Sequence, residues 1–225
     1  MTTILVASRM PAHRRLRAAL EAAGLRVIAI ETPEELAAGT WQAAAPEYLF
    51  FTHWSHRIPA EIHERHACVV FHLANLPEGR GGSPIQNQIA AGQEATTLCA
   101  LRCVQEMDAG PVYLRRPMSL LGTADEILQR AAREMEGMIL EIVRRRPEPV
   151  PQEGQPTVFR RRTPADGDIA ALASLQQVFD AVRMLDGHSY PPAFLEVGNL
   201  RLEFSRASLK DDHVIADVRI RLRTP

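Results

Sequence analysis

Short apolar runs alternating with helix-like stretches constrain this chain more than any other feature. Thr3-Ile4-Leu5-Val6-Ala7, Leu25 to Ile30, Tyr48-Leu49-Phe50-Phe51 and Ala67 to His72 each read as a buried strand. Between the first two, the segment Ala12 to Ala23 sets Leu16, Ala19, Leu20 and Ala23 on one helical face before Gly24 stops it. An Ala- and Glu-rich stretch after Ile30 has the composition for another helix. Strands separated by helices need crossover connections. The expected fold class is therefore α/β, a Rossmann-like, mostly parallel sheet with helices on both faces. At 225 residues, 46% of them hydrophobic, the chain can bury one principal core and a small appendage.

Open sheets of this kind gather ligands at the carboxyl ends of their strands. That rule selects Ser8-Arg9, Thr52-His53-Trp54 and the stretch from His72 onward. The last continues through Asn75 and a segment too rich in Gly and Pro to be regular, Pro77 to Gly82. Ser83, Pro84 and Gln86 then predict a helix start with a capping box. Ala95 to Gln105 reads as a long strand, and Met107-Asp108-Ala109-Gly110-Pro111 turns it toward another at Val112-Tyr113-Leu114. Thr123 and Glu126 form a second capping box. Ile127, Leu128, Ala131, Met135, Met138, Ile139 and Ile142 line one face of a helix reaching about Arg145.

Five prolines between Pro147 and Pro164 suggest a surface crossing. The expected division is 1–163 for the main domain and 164–225 for a small C-terminal α+β subdomain. The latter reads as a helix over Ile169 to Leu185, then strands turning at Gly198-Asn199 and Lys210-Asp211-Asp212.

The strongest chemical constellation is His72 at a strand end, a Gly-rich loop behind it, and Asp108 on a later turn. Acyl transfer to an amine needs a group to take the amine proton, donors for the oxyanion, and a carboxylate to tune the first. His72-Leu73-Ala74-Asn75-Leu76-Pro77, then Gly79-Arg80-Gly81 and Ser83-Pro84-Ile85-Gln86, resembles the signature of the folate-dependent formyltransferases. Met107-Asp108-Ala109-Gly110-Pro111 resembles the later motif of that family, 36 positions on when counted from 72 to 108. Further likeness runs through Arg183 to Asp186, Tyr190 to Phe194 and Phe204 to Ala207. With His53-Trp54-Ser55, the His72 region is most similar to the sugar N-formyltransferases of the pseudaminic acid pathway.

This resemblance implies transfer of a formyl group from N10-formyltetrahydrofolate to the 4-amino group of a nucleotide-linked, UDP-type aminodideoxy sugar. His72, Asp108 and Asn75 are then the catalytic group. The pterin lies between His56-Arg57-Ile58 and Gln105-Glu106-Met107, and the sugar nucleotide reaches His72 past Ser8, Arg9, His53, Trp54, Arg80 and Gly81. One departure stands out. The family has an Asn two residues before its His, and this chain has Val70, which cannot donate a hydrogen bond. The alternatives are a catalytically impaired folate- or nucleotide-binding relative, and formylation of another amine such as an amino acid, a siderophore precursor or an aminoacyl-tRNA.

Charge bears on the partners. With 26 basic and 27 acidic side chains the formal net charge is −1, which removes an electrostatic reason to expect a nucleic acid or a membrane. Arg144-Arg145-Arg146 has a cheaper explanation at a helix C-terminus, and the chain is too short for the large C-terminal domain of a tRNA formyltransferase. A small-molecule acceptor, with a homodimer left open, is the expectation. No metal is expected: His53 and His56 fall in a loop before Pro59 rather than on one helix face. Three cysteines and no leader-like start point to the cytoplasm.

Overall fold

The computed structural model describes residues 1–8, 13–188 and 190–223. In chain order the elements are β1 (Thr3–Ala7), α1 (His13–Ala22), β2 (Arg26–Ile30), α2 (Pro33–Ala38), β3 (Tyr48–Phe51), α3 (Ala60–His63), β4 (Cys68–Leu73) and β5 (Arg80–Gly81). There follow α4 (Pro84–Ala90), β6 (Ala95–Arg102), β7 (Val112–Ser119), α5 (Ala124–Arg145), β8 (Val158–Phe159), α6 (Leu175–Arg183), β9 (Ala193–Val197), β10 (Leu200–Leu209) and β11 (Val214–Leu222). The chain divides into two compact units and threads back and forth between them. The first comprises Met1–Gly81, Thr97–Met118 and Gln129–Val158; the second comprises Gly82–Thr96, Ser119–Leu128 and Phe159–Pro225.

The fold class is the expected mostly parallel α/β sheet. Its strand order is β2-β1-β3-β4-β6-β7. β1 pairs in parallel with β2 and β3, and β3 with β4; β6 then runs antiparallel to β4, setting His72 opposite Cys99 and Leu73 opposite Leu98. β1 is an unbroken apolar run because it is buried on both sides: Ile4, Leu5 and Val6 expose none of their surface, and neither do Leu49 and Phe50 of β3. A second apolar group, Leu76, Cys99, Leu101 and Val112, forms around β4 and β6. α5 starts at the expected capping box, with Thr123 N–H donating to Glu126 Oε2 and Glu126 N–H to Thr123 Oγ1. Its predicted apolar face, from Ile127 to Ile142, is buried.

Three local expectations are corrected. α4 begins at Pro84, but Ser83 is in the left-handed region (φ 51°) and its side chain makes no cap bond. Ser83 Oγ instead accepts from the Arg162 N–H, and Gln86 donates to the Met184 carbonyl. Tertiary partners have outbid the local capping box. β6 ends at Arg102 rather than Gln105, because the pairing N–H of Arg102 meets the Pro111 carbonyl across the turn at 2.9 Å. The C-terminal helix is shorter than expected, starting where Ser174 caps Gln177 N–H.

In the second unit β9, β10 and β11 form an antiparallel sheet in the order β11-β10-β9. α6 carries a buried ion pair. Arg183 and Asp180 are both buried, their side chains meet at 2.6 Å, and the Arg183 guanidinium also donates to the carbonyls of Leu120 and Gly122. Removing one member of such a pair strands the other charge. Arg183→Met should cost about 3 kcal/mol, measured as a lower urea midpoint; an unchanged midpoint would show the pair to be dispensable.

Candidate functional site

The site is built in the first unit at the end of β4. His72 is buried near the end of that strand, with only 7% of its surface exposed. Its Nε2 lies 2.7 Å from the Gly79 carbonyl oxygen, and its Nδ1 lies 3.4 Å from Asp108 Oδ2. A carbonyl only accepts, so Nε2 carries a hydrogen and donates it. The neutral ring therefore has its lone pair on Nδ1, the nitrogen facing Asp108.

Asp108 is held from two directions. Its Oδ2 accepts the Gly81 N–H at 2.9 Å, and its backbone sits at φ 54°, a left-handed conformation that Asp tolerates better than most residues. Gly81 itself has φ 97°, which an L side chain rarely adopts, so the residue that presents this N–H is a glycine. Gly110 has a different reason. A Cβ there would stand 1.8 Å from the Arg102 carbonyl oxygen, so no other residue lets the chain turn back this tightly.

Arg80, singled out as a substrate contact, is engaged within the protein. Its Nε and Nη2 donate to Gln152 Oε1 at 3.2 and 2.9 Å, and its Nη1 to Glu106 at 3.0 Å. The structure thus gathers His72, Asp108, Gly81, Arg80 and Glu106 in one place, with Asp108 bonded to Gly81 and, through Gln152, to Arg80 and Glu106. Asn75 is exposed just beyond β4, and its Oδ1 accepts from the Thr97 hydroxyl. Val70 packs against both apolar clusters of the sheet and offers no polar group.

The other singled-out residues lie around the ends of β1, β3 and β6. Ser8 is buried after β1, and Arg9 lies outside the described residues. Trp54 meets Phe51 and His56 edge-on, with ring centroids 5.9 and 5.4 Å apart. Arg57 is exposed, whereas Ile58 belongs to the core cluster with Leu36, Trp41 and Ile62. Gln105, Glu106 and Met107 form an exposed turn, Met107 with 68% of its surface free. His53 has φ 51° and a buried, unpartnered Nε2, and burial pushes its pKa down to about 4.

Sequence reasoning missed Gln152 and Thr157. The Pro-rich segment is more than a surface crossing. Gln152 Nε2 donates to the carbonyls of Asp108 and Gly110 at 2.7 and 2.8 Å, and Thr157 Oγ1 accepts the Gly79 N–H at 2.8 Å. Val150 also exchanges backbone hydrogen bonds with Val112. Proline density signals an extended chain and says nothing of which groups that chain meets, so composition held no clue to these bonds.

A buried histidine beside a carboxylate near a strand end of an α/β sheet suits the proton handling that group transfer needs, and similarity narrows the class. A methionyl-tRNA formyltransferase from Clostridium thermocellum superposes with a TM-score of 0.96 at 39% identity, covering 99% of this chain and 100% of that one. The chain belongs to the methionyl-tRNA formyltransferase family. Residues 164–221 match the family model described as "Methionyl-tRNA formyltransferase, C-terminal domain". The methionyl-tRNA formyltransferase of Cutibacterium acnes is 32% identical over 158 residues, 66% of this chain and 49% of that protein. The chain thus spans about half the length of the curated relatives it matches.

These findings overturn the expected acceptor. A sugar N-formyltransferase from Shewanella shares the fold, with a TM-score of 0.65, but only 13% identity over 92% of this chain and 97% of that one. A nucleotide-linked sugar as partner, and the pseudaminic acid assignment with it, are not supported by these relatives. The C-terminal domain expected to be missing has a counterpart in residues 164–221, which match its model. No helix among the described residues is long and apolar enough to cross a membrane.

A histidine held neutral by burial makes folding sensitive to acid. Its folded pKa is below the unfolded value near 6.5, so the unfolded chain binds the proton more readily and stability falls from about pH 6.5 down to about 4. His53→Gln should flatten this part of the stability–pH curve relative to wild type. Parallel curves for the two proteins would show that His53 is not buried as described.

Proposed function

We propose that the chain transfers the formyl group of N10-formyltetrahydrofolate to the primary amine of the aminoacyl group on methionyl-tRNA. The whole-chain likeness to the Clostridium thermocellum enzyme carries the choice of acceptor. The chemistry follows from the site. The neutral amine attacks the formyl carbon, a C–N bond forms, and the carbonyl π pair moves to oxygen. His72 Nδ1, bearing the lone pair, takes the proton that the new ammonium must lose. Asp108, 3.4 Å away, stabilises the imidazolium that results. As the oxyanion collapses, the bond to N10 breaks, and the proton returns to N10 of departing tetrahydrofolate.

The oxyanion needs a donor that Val70 cannot supply. In this reading the Asn75 amide meets it, since the Thr97 hydroxyl occupies Oδ1 and leaves Nδ2 as the outward donor. The pterin lies by His56, Arg57 and the exposed turn Gln105-Glu106-Met107, with Ile58 packed beneath as part of the wall. Residues 164–225 form the part that meets the tRNA, supported by the match over 164–221. A cytoplasmic location accompanies this reading, in keeping with three free thiols at Cys68, Cys99 and Cys103.

The test offers N10-formyltetrahydrofolate with methionyl-tRNA and, separately, with free methionine and other small primary amines. Formylated methionyl-tRNA should form, and His72→Ala or Asp108→Ala should lower kcat by about 100- to 10,000-fold. Formylation of a small amine but not of methionyl-tRNA would sink the acceptor. Tight folate binding without transfer to any amine would identify an impaired relative.

A further inference from the structure

Gln152 lies outside every motif that pointed to the site, yet all of its side-chain hydrogen-bonding capacity is spent there. Its two N–H groups go to the carbonyls of Asp108 and Gly110, and both lone pairs of its oxygen go to the Arg80 guanidinium. This orients the amide unambiguously, because carbonyls only accept and a guanidinium only donates.

The two partners so fixed flank His72. Asp108 faces Nδ1 directly. Arg80 directly follows Gly79, whose carbonyl takes the Nε2 hydrogen. One neutral side chain thus bears on both hydrogen-bonding groups of the imidazole without touching the ring. It also holds the carbonyl of a residue whose backbone is left-handed at φ 54°, where a released peptide has an incentive to relax. Relaxation at Asp108 would take its carboxylate off the Gly81 N–H.

We infer that Gln152 is a positioning residue for formyl transfer: it holds Asp108 and Arg80 so that the carboxylate and the Gly79 carbonyl keep their places against the two nitrogens of His72. The inference rests on the reading that His72 and Asp108 handle the amine proton. The competing account is that Gln152 only ties the Pro-rich segment down. In that case its loss lowers stability and leaves the surroundings of His72 as they were.

The Gly81 amide reports on this without any substrate, since its N–H is bonded to Asp108 Oδ2. Its 1H–15N resonance is followed in the full chain for wild type, Gln152→Leu, Asp108→Ala and the double variant. Gln152→Leu should move the resonance in the same direction as Asp108→Ala, and the double variant should move it no further than Asp108→Ala alone. In the transfer assay Gln152→Leu should lower kcat by about 100-fold with the KM for the folate donor within about twofold of wild type. In the Asp108→Ala background the same change should cost little more.

A Gly81 resonance at its wild-type position in a folded Gln152→Leu protein overturns the inference. So does a double variant whose kcat loss is the product of the single losses. If the Leu variant does not fold, Gln152→Glu is read by the same criteria; it keeps the size and the acceptor for Arg80 but cannot donate to the two carbonyls. A responsive Gly81 amide in a wild-type protein that formylates nothing would sink the functional reading and leave the positioning intact.

Discussion

The carboxylate of Asp108 is the point on which this site depends, and it is held by weak bonds in an unfavourable place. A non-glycine residue in the left-handed region costs roughly 1 kcal/mol or more. Two carbonyl bonds from Gln152, at Asp108 and Gly110, offset a cost of that size at about 1 kcal/mol each. The Gly81 N–H then aims the oxygen that faces His72. None of these contacts is strong alone. Together they put a carboxylate near a buried imidazole whose other nitrogen is already committed to a carbonyl, which leaves one lone pair, in one direction, for chemistry.

The sheet makes this arrangement possible. β4 ends in parallel with β3 on one side and is paired antiparallel with β6 on the other. The antiparallel neighbour matters because it returns the chain along His72 and into the turn that carries Asp108. The connection from β4 to β6 is itself long, residues 74–94 with β5 and α4 inside it, and it brings the Gly79 carbonyl to His72 and the Gly81 N–H to Asp108. Gly110 completes the return at a distance from Arg102 that no side chain permits.

Much of this was legible in the amino-acid order. The four apolar runs became β1 to β4 with boundaries shifted by a residue or two, since a strand buried on both faces has a composition that little else shares. The strand-end rule and the family resemblance point to His72 and Asp108, and the two side chains lie 3.4 Å apart. The Ser83 capping box did not form, because a local signal of about 1 kcal/mol yields to tertiary partners at Arg162 and Met184. Gln152 was illegible for another reason. It lies 44 residues from Asp108 in sequence, inside a stretch whose prolines describe its own backbone and not its destination.

The sugar acceptor, which the comparisons contradict, rests on the resemblance of the His72 region, and a whole-chain average of charge reinforces it. A formal net charge of −1 for the whole chain was weighed against a polyanionic partner, but a sum over 225 residues does not describe any one face. β11 carries Arg219 and Arg221 on one side of a strand that lies at the edge of its sheet, and there Arg221 meets Glu203. Elsewhere in the second unit Arg160 is paired with Asp166, whose carboxyl is held well below the usual carboxylate range by that guanidinium. Such pairs cancel both in the total and where they stand, so the total says nothing of where unpaired cations lie. Polyanion binding depends on the number of cations within reach of phosphates, and a near-zero total is compatible with several. Whole-chain similarity supports the proposed acceptor where whole-chain charge weighs against it, because similarity is sensitive to where residues stand and a sum is not.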